Sequence, residues 1–454
     1  MKRLIKRVLL VLLIAVLAFA TWFAWPRLPI ITAFTAKGMC SSVFYAEKAP
    51  ERVAAEDLSF FPISLAKSEI NYEEKSVTSK VFGLAKRKAV YRDGLGSVLV
   101  LKKPENELKA AMFNIPDPGF DPDTLPWPKG NILPDQKPAG IDYDKLTAIL
   151  DAAFDKPGEE PFRKSLGVAV VYDNQLIGEK YLDGYDATTP FLGWSMTKSI
   201  TGAMTGILVE EGLLDLNAPA AVPEWTGDER KDITTEQILH MSSGLDWFEN
   251  YFTISDATVM LMQSDDMFAS VIKCPAKYKP GTYWNYSSGD ANLLSGLIRT
   301  AIGNDEAYHR FPYERLLHPI GMVSTLMETD ASGLFVASSY CYATTRDWAR
   351  FGLLFLNNGI FEGDTILQPS WVDFCRTPAP ASGGNYAGTF WLKESNPLQE
   401  LKDVPSDVYF ADGFQGQRIY IIPSKKLVVV RMGYSMANLN MNEFLRDIIA
   451  TLPD

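Results

Sequence analysis

The chain has 454 residues, 47% of them hydrophobic and 22% charged, with 44 Lys and Arg against 55 Asp and Glu. These are the proportions of a globular protein with a sizeable core, and they exclude a disordered, collagen-like or polytopic membrane protein. A net charge of −11 without a long basic run beyond the N-terminus excludes nucleic acid as a partner, and four cysteines and three histidines, widely spaced, provide neither a disulfide scaffold nor a metal site.

Residues 1–7 carry four positive charges, and Val8 to Trp25 then run for eighteen residues without one. As a helix that run spans about 27 Å, close to the hydrocarbon thickness, and Trp22 and Trp25 stand where an aromatic belt would sit. Residues 1–30 are therefore read as a membrane anchor. A cleaved signal peptide is the competing reading, because Ala18-Phe19-Ala20 has the small-x-small pattern of a cleavage site. Either way the positive-inside rule keeps Lys2, Arg3, Lys6 and Arg7 in the cytoplasm. The chain beyond Pro26 then lies at the periplasmic face of the inner membrane, or in the soluble periplasm if the segment is cleaved.

Residues 31–140 read as an accessory region. Residues 77–102 have strand character, with Asp93 to Gly96 turning between Ala89-Val90-Tyr91 and Val98-Leu99-Val100. Eight of the 28 prolines fall between Pro104 and Pro138, so no regular element is expected there, only an ordered wrap or linker. From residue 141 to 454 one larger domain is expected. It opens with a helix over Tyr143 to Phe154 and a hairpin, Leu166 to Tyr172 and Leu176 to Tyr185, turning at Asp173-Asn174. An apolar helix follows over residues 196–212. More helices run from Thr235 to about Gly321, one of them started by a capping box, Thr234 to Gln237. Strand signals return only at Gln417 to Pro423 and Leu427 to Met432, before a last helix at Met441 to Thr451. Sheet at both ends with helices between implies an α+β body whose sequence-distant halves complete one sheet.

Ser195-Met196-Thr197-Lys198 opens the apolar helix, and residues three apart share a helical face, so the hydroxyl and the amine meet. A serine hydroxyl becomes a nucleophile when a base takes its proton, and a lysine is such a base only where burial lowers its pKa. The same spacing occurs at Ser64 and Lys67, but without a preceding sheet or a following apolar helix. Tyr286, just ahead of a helix from Ala291, is placed to relay protons or, equally, to pack in a core. Gly193-Trp194-Ser195-Met196-Thr197 lacks the second glycine of a nucleophile elbow, and the histidines lie in apolar helical stretches, which argues against a Ser-His-Asp hydrolase. Arg346 and Asp347 are expected to form structural ion pairing.

These residues, with Leu239 to Leu245, Pro280-Gly281, Tyr286 to Leu294, Pro319 to Met322, Ala343 to Leu353 and Gly413 to Gln417, resemble the serine β-lactamase and penicillin-binding-protein family. The likeness is to its class C and esterase-like branch, which includes 6-aminohexanoate-dimer hydrolases. It covers residues 140–435, and Lys37 to Leu58 is similar to a lead-in of such exported hydrolases. The resemblance implies a β-lactamase/transpeptidase-like α+β fold: an antiparallel sheet flanked by helices, with an inserted all-helical region behind the N-terminal anchor helix. It implies Ser195 as the acyl-accepting nucleophile, Lys198 as its base and Tyr286 as proton relay. The oxyanion hole would be the backbone N–H groups of Ser195 and Gln417, with Ser288, Gly416 and Phe414 binding substrate and no cofactor or metal.

Two departures bear on substrate. The Tyr-x-Asn element is Tyr286-Ser287-Ser288, and the third motif, Lys-Thr-Gly in β-lactam-recognising members, is Phe414-Gln415-Gly416 without a cation. The expected activity is a serine hydrolase acting on a small ester or amide rather than a true β-lactamase. A catalytically weak penicillin-binding or cell-wall-fragment sensor is the alternative, and Arg418 is the residue that could restore the missing cation.

Overall fold

The computed structural model describes residues 2–156, 158–393, 400–435 and 438–453, with the side chains of residues 2, 3 and 13–20 outside that description. By its contacts the chain divides into two compact units, the first formed by Met1–Arg92, Gly96–Ala111 and Phe248–Asp265, the second by Asp93–Leu95, Met112–Trp247 and Asp266–Asp454.

The first unit begins with helix α1 (Lys2–Ala24). Among the described residues no helix is long and apolar enough to cross a membrane. Of the anchor expected over residues 1–30, the side chains of residues 13–20 lie outside the description, and with them the cleavage pattern at Ala18-Phe19-Ala20. Helix α2 (Leu28–Phe44) is buried along most of its length, from Ile31 to Val43. It lies against a four-stranded antiparallel sheet, β1 (Ala66–Asn71), β2 (Ser76–Val81), β3 (Leu84–Arg92) and β4 (Gly96–Leu99), arranged in chain order. The expected turn at Asp93 to Gly96 joins β3 to β4, with Val90 opposite Val98. Strand β1 escapes sequence reading because Ile70 is its one β-branched residue. A short helix, Glu105–Ala110, stands where no element was expected, with Pro104 at its N-cap, a position that needs no intrahelical N–H bond. Residues 248–265 join this unit through the helix Asp256–Gln263 against α2 and a bond from Lys102 N to Asp265 Oδ2 (3.0 Å).

The second unit contains α3 (Tyr143–Ala152), β5 (Ser165–Tyr172), β6 (Gln175–Tyr181), α4 (Thr197–Glu210), α5 (Ser288–Ile302), α6 (Thr345–Leu356), β7 (Tyr409–Gly413), β8 (Gln417–Ile422), β9 (Leu427–Gly433) and α7 (Met441–Ile449). Its antiparallel sheet has the order β7-β8-β9-β5-β6, so the two ends of the domain do meet, with Val428 of β9 opposite Val171 of β5. The β5–β6 turn holds Asp173 and Asn174 at φ 45° and 66°, the left-handed pair that a two-residue hairpin needs. Alternate residues serve opposite faces. Val428 lies under α6, so closely that a Cβ on Gly352 would stand 2.5 Å from its Cγ1. Val429 faces the other way, into a cluster with Leu146, Leu150, Val170, Phe444 and Ile448 under α3 and α7. The Thr234 capping box is present.

The proline-rich segment is an ordered wrap on this unit from residue 112 onward. Trp127 Nε1 donates to Asn174 O (2.8 Å), and Arg350 donates to Pro128 O (2.6 Å) and Gly130 O (2.7 Å). Arg350 also pairs with Asp347, and Arg346 pairs with Glu179, so both residues expected in structural ion pairing are in it, each with a different partner. All four cysteines are free thiols.

Candidate active site

Ser195 is carried by a short backbone device. Strand Pro190–Leu192 pairs with Cys341–Thr344, and Gly193 N then donates to Cys341 O (2.8 Å). Trp194 takes φ 48°, a strained conformation for an aromatic residue, and a 3-10 turn over Trp194–Met196 leads into α4. Two glycines permit the approach of this turn to the sheet. A Cβ on Gly193 would lie 2.3 Å from the Trp348 ring, and one on Gly413 of β7 would lie 2.2 Å from Gly193 O. The turn therefore packs directly on β7 and β8.

Lys198, in the first turn of α4, is 1% exposed. Its Nζ donates to Ser195 Oγ (2.9 Å), Ser288 Oγ (3.1 Å) and Ser338 O (3.0 Å), and lies 4.8 Å from the centroid of the Tyr286 ring. Ser287 N-caps α5 by accepting from Asp290 N (2.8 Å), which sets Ser288 at the start of that helix, facing the lysine. The half-buried Tyr286 ring packs against Trp391 with centroids 5.2 Å apart. The fold thus gathers Ser195, Lys198, Tyr286 and Ser288 from two helix starts. Ser288, expected to bind substrate, is buried and accepts from Lys198 Nζ.

The third motif forms a tight turn beside Ser195. The Phe414 ring meets the Trp194 ring edge-on at 5.5 Å, and Gln415 and Gly416 take φ 63° and 82° before β8 begins at Gln417. The Gln417 side chain turns away into the sheet, donating to Gly433 O (2.6 Å) and accepting from Gly433 N (2.9 Å), so only its backbone is available to a reacting carbonyl. Behind the turn, buried Arg431 donates to the carbonyls of Gln415 (3.1 Å), Gly416 (2.9 Å), Ser435 (3.0 Å) and Arg163 (2.9 Å). Burial and the neighbouring Arg418 pull its pKa down to about 10. Arg418 itself pairs with Asp412 and donates to Gln417 O (3.0 Å), so it holds the strand rather than reaching back to replace the missing cation.

Gly416→Ala tests this arrangement. Its Cβ would stand 2.3 Å from Arg431 Nη1 and 2.6 Å from Ser435 O, at a φ that alanine resists. The expected loss is about 2–4 kcal/mol in denaturant unfolding, with a lower kcat on any substrate.

The rival residues lie elsewhere in the fold. His240 stacks on Phe374 at 4.8 Å, and burial lowers its pKa to about 4. His309 bonds Gly333 O (2.7 Å), and burial also lowers the pKa of His318. Ser64 sits on an exposed 3-10 turn and Lys67 on β1, so that pair does not share a helical face. Among the described residues no cluster could hold a metal ion. Sequence reading misses Ser338, whose carbonyl binds Lys198 across 140 residues, Asn292, which donates to both Ser288 O and Ser338 Oγ (3.0 Å each), and Arg431. Ser338 and Arg431 fall in no motif, and Asn292 lies within the Tyr286 to Leu294 stretch without a role having been assigned to it.

Comparison with known proteins agrees with this geometry. A model of the β-lactamase family matches residues 150–448, about two-thirds of the chain. The 6-aminohexanoate-dimer hydrolase of Paenarthrobacter ureafaciens is 23% identical over 293 residues, covering 58% of this chain and 71% of that protein. A Bacillus anthracis protein with the provisional name 6-aminohexanoate-dimer hydrolase superposes with a TM-score of 0.56 at 23% identity, covering 71% of this chain and 88% of the other. A family VIII carboxylesterase does so with a TM-score of 0.54 at 16% identity, covering 70% and 99%. With Ser195 and Lys198 joined at the head of one helix beside the edge of a five-stranded sheet, the chain belongs to the β-lactamase family and is a serine hydrolase.

Proposed function

We propose that this enzyme hydrolyses small neutral esters or linear amides through an acyl-serine intermediate, as an esterase or amidase rather than a β-lactamase. The observation that carries the reading is the hydrogen-bond set of Lys198: Ser195 Oγ at 2.9 Å, Ser288 Oγ at 3.1 Å and Ser338 O at 3.0 Å. An uncharged amine has two N–H donors and one lone pair. Ser338 O only accepts and Ser288 Oγ can accept, so the lone pair is left for the Ser195 hydroxyl proton. Ser195 Oγ then attacks the substrate carbonyl, and the N–H groups of Ser195 and Gln417 receive the oxyanion. Tyr286, against the same lysine, returns the proton to the leaving group, and water reverses the sequence to release the acid.

The walls argue for a neutral substrate. Trp194 and Phe414 flank the serine, Tyr286 and Trp391 the lysine, and Arg418 is tied to Asp412. A β-lactam or a D-Ala-D-Ala terminus presents a carboxylate, and lacking a charge-assisted bond to it costs about 1.5–3 kcal/mol, or roughly 10- to 150-fold in kcat/KM. p-Nitrophenyl butyrate is expected to be turned over with a higher kcat/KM than nitrocefin by one preparation. A higher value for nitrocefin, reversed by Arg418→Ala, would refute the substrate class.

The N-terminal segment supports a location outside the cytoplasm, tethered to the inner membrane through Val8 to Trp25. The full chain is expected to stay with the membrane fraction after a high-salt wash, with its body open to protease added from the periplasmic side. Recovery in the soluble periplasm with a new N-terminus at Thr21 would make the segment a cleaved signal.

A further inference from the structure

We infer that the end of the first unit from which α1 departs is a second membrane contact, with the rings of Phe61 and Phe82 resting in a bilayer that carries anionic headgroups. The first observation is a mismatch between residue and turn. Strands β2 and β3 are joined by Phe82 and Gly83 at φ 50° and 78°, the two left-handed positions of a hairpin turn that asparagine and glycine ordinarily fill. A bulky aromatic side chain resists that conformation, and the Phe82 ring is 82% exposed, so neither the backbone nor intramolecular packing accounts for it.

Other exposed apolar groups share the same end. Ala66 of β1 stands opposite Val81 of β2, and Val81 opposite Leu84 of β3, so the start of β1 and the Phe82 tip lie at one edge of the sheet. Leu84 is exposed there. Just ahead of β1, the Phe60 ring packs on Phe34 of α2 at 5.7 Å, whereas Phe61 is 76% exposed. Thr32, about 6 Å along α2 from its first residue, donates to Ala85 O (2.6 Å). The edge therefore adjoins the start of α2, three residues after exposed Trp25 and near exposed Trp22 and Phe23.

Charge selects the partner. In a chain of net charge −11, this edge carries Lys67 opposite Lys80, with Lys86 and Arg87 just beyond the tip. One carboxylate, Glu69, pairs with Lys80 (3.0 Å). Aromatic rings within a basic rim match an interface of acyl chains and anionic headgroups. A second copy of this chain would set the same basic rim against itself. The inference rests on the tethered reading above, which brings the bilayer to this end. It adds that the first unit lies down on the membrane at a fixed orientation rather than swinging from its tether.

The test uses the full chain with Cys274→Ser, since Cys40, Cys341 and Cys375 are buried. Phe82→Cys, Phe61→Cys or, as a control, Glu73→Cys in the exposed β1–β2 turn at the opposite end of the same sheet is labelled with nitrobenzoxadiazole. Each protein is reconstituted into phosphatidylcholine vesicles with about 30% phosphatidylglycerol, with or without a lipid quencher at headgroup depth. Emission at positions 82 and 61 is expected to fall roughly twofold or more with the quencher, less in pure phosphatidylcholine, and not at position 73. Vesicle-bound chains whose 82 and 61 labels are not quenched would overturn this inference while leaving the tether intact. Chains that stay in the supernatant would overturn both, and self-quenching without lipid would mark a contact between copies instead. Phe82→Asn, which suits the turn, is expected to raise the thermal midpoint of the detergent-solubilised chain; a lowered midpoint would mean that the fold itself uses the ring, and would also refute the inference.

Discussion

Ser195→Ala is expected to abolish covalent labelling by a fluorophosphonate and to lower ester turnover by about 10,000- to 1,000,000-fold, the range found when a nucleophile is removed from a site that still binds substrate. The large effect has a simple origin: Ser195 Oγ is the proposed nucleophile, and Lys198 Nζ is aimed at it from 2.9 Å. The fold should survive. Ser195 is half-buried, and in its absence Lys198 still donates to Ser288 Oγ and Ser338 O, so the change in unfolding free energy is expected to stay within about 1–2 kcal/mol. Intact-mass analysis after labelling decides the matter. Undiminished label in Ser195→Ala, or label on Ser64, would mean that the nucleophile has been misassigned.

Lys198→Met should be almost as damaging to turnover for a different reason. Methionine fills most of the lysine's volume, so the buried space at the head of α4 is not left as a void. What disappears is the amine proposed to receive the Ser195 proton, and a positioned general base contributes about 100- to 10,000-fold. The cost to stability comes from Ser338 O, which loses the bond from Lys198, and amounts to about 1–3 kcal/mol. Pre-steady-state kinetics on p-nitrophenyl butyrate should place the loss in the acylation step, with KM changed much less than kcat. A near-normal acylation rate at neutral pH would remove the lysine from the mechanism and leave Tyr286 as the candidate base.

The two substitutions also separate the two kinds of information in this chain. That Ser195 and Lys198 share a helical face follows from a spacing of three residues, as the Asp173-Asn174 hairpin and the Thr234 capping box follow from side chains that act on backbone within a few positions. That the two ends of the domain share one sheet was legible as well, from the strand signals at Leu166 to Tyr172 and Leu427 to Met432, whereas the choice of β5 as the neighbour of β9 was not. Strand β7 was not, since Tyr409-Phe410-Ala411-Asp412-Gly413 has neither alternation nor a turn signal, and it is a strand because β8 offers it an edge.

For the site, the sequence by itself determined the residue types and their local geometry: a hydroxyl and an amine at the head of one helix, a tyrosine ahead of another, and a third motif without a cation. Tertiary structure alone decided what each group faces. Ser288 reads as a substrate contact in a linear motif, and only packing shows it bonded to Lys198. Arg418 reads as a possible replacement cation, but Asp412 across the β7–β8 ladder holds it. Ser338 reaches Lys198 across 140 residues, and Arg431 reaches the Gly416 carbonyl from the neighbouring strand. The physical reason is range: dihedral preference, capping and helical spacing act over a few residues, whereas desolvation and hydrogen bonding depend on whatever close packing brings within 3 Å, which no local pattern encodes.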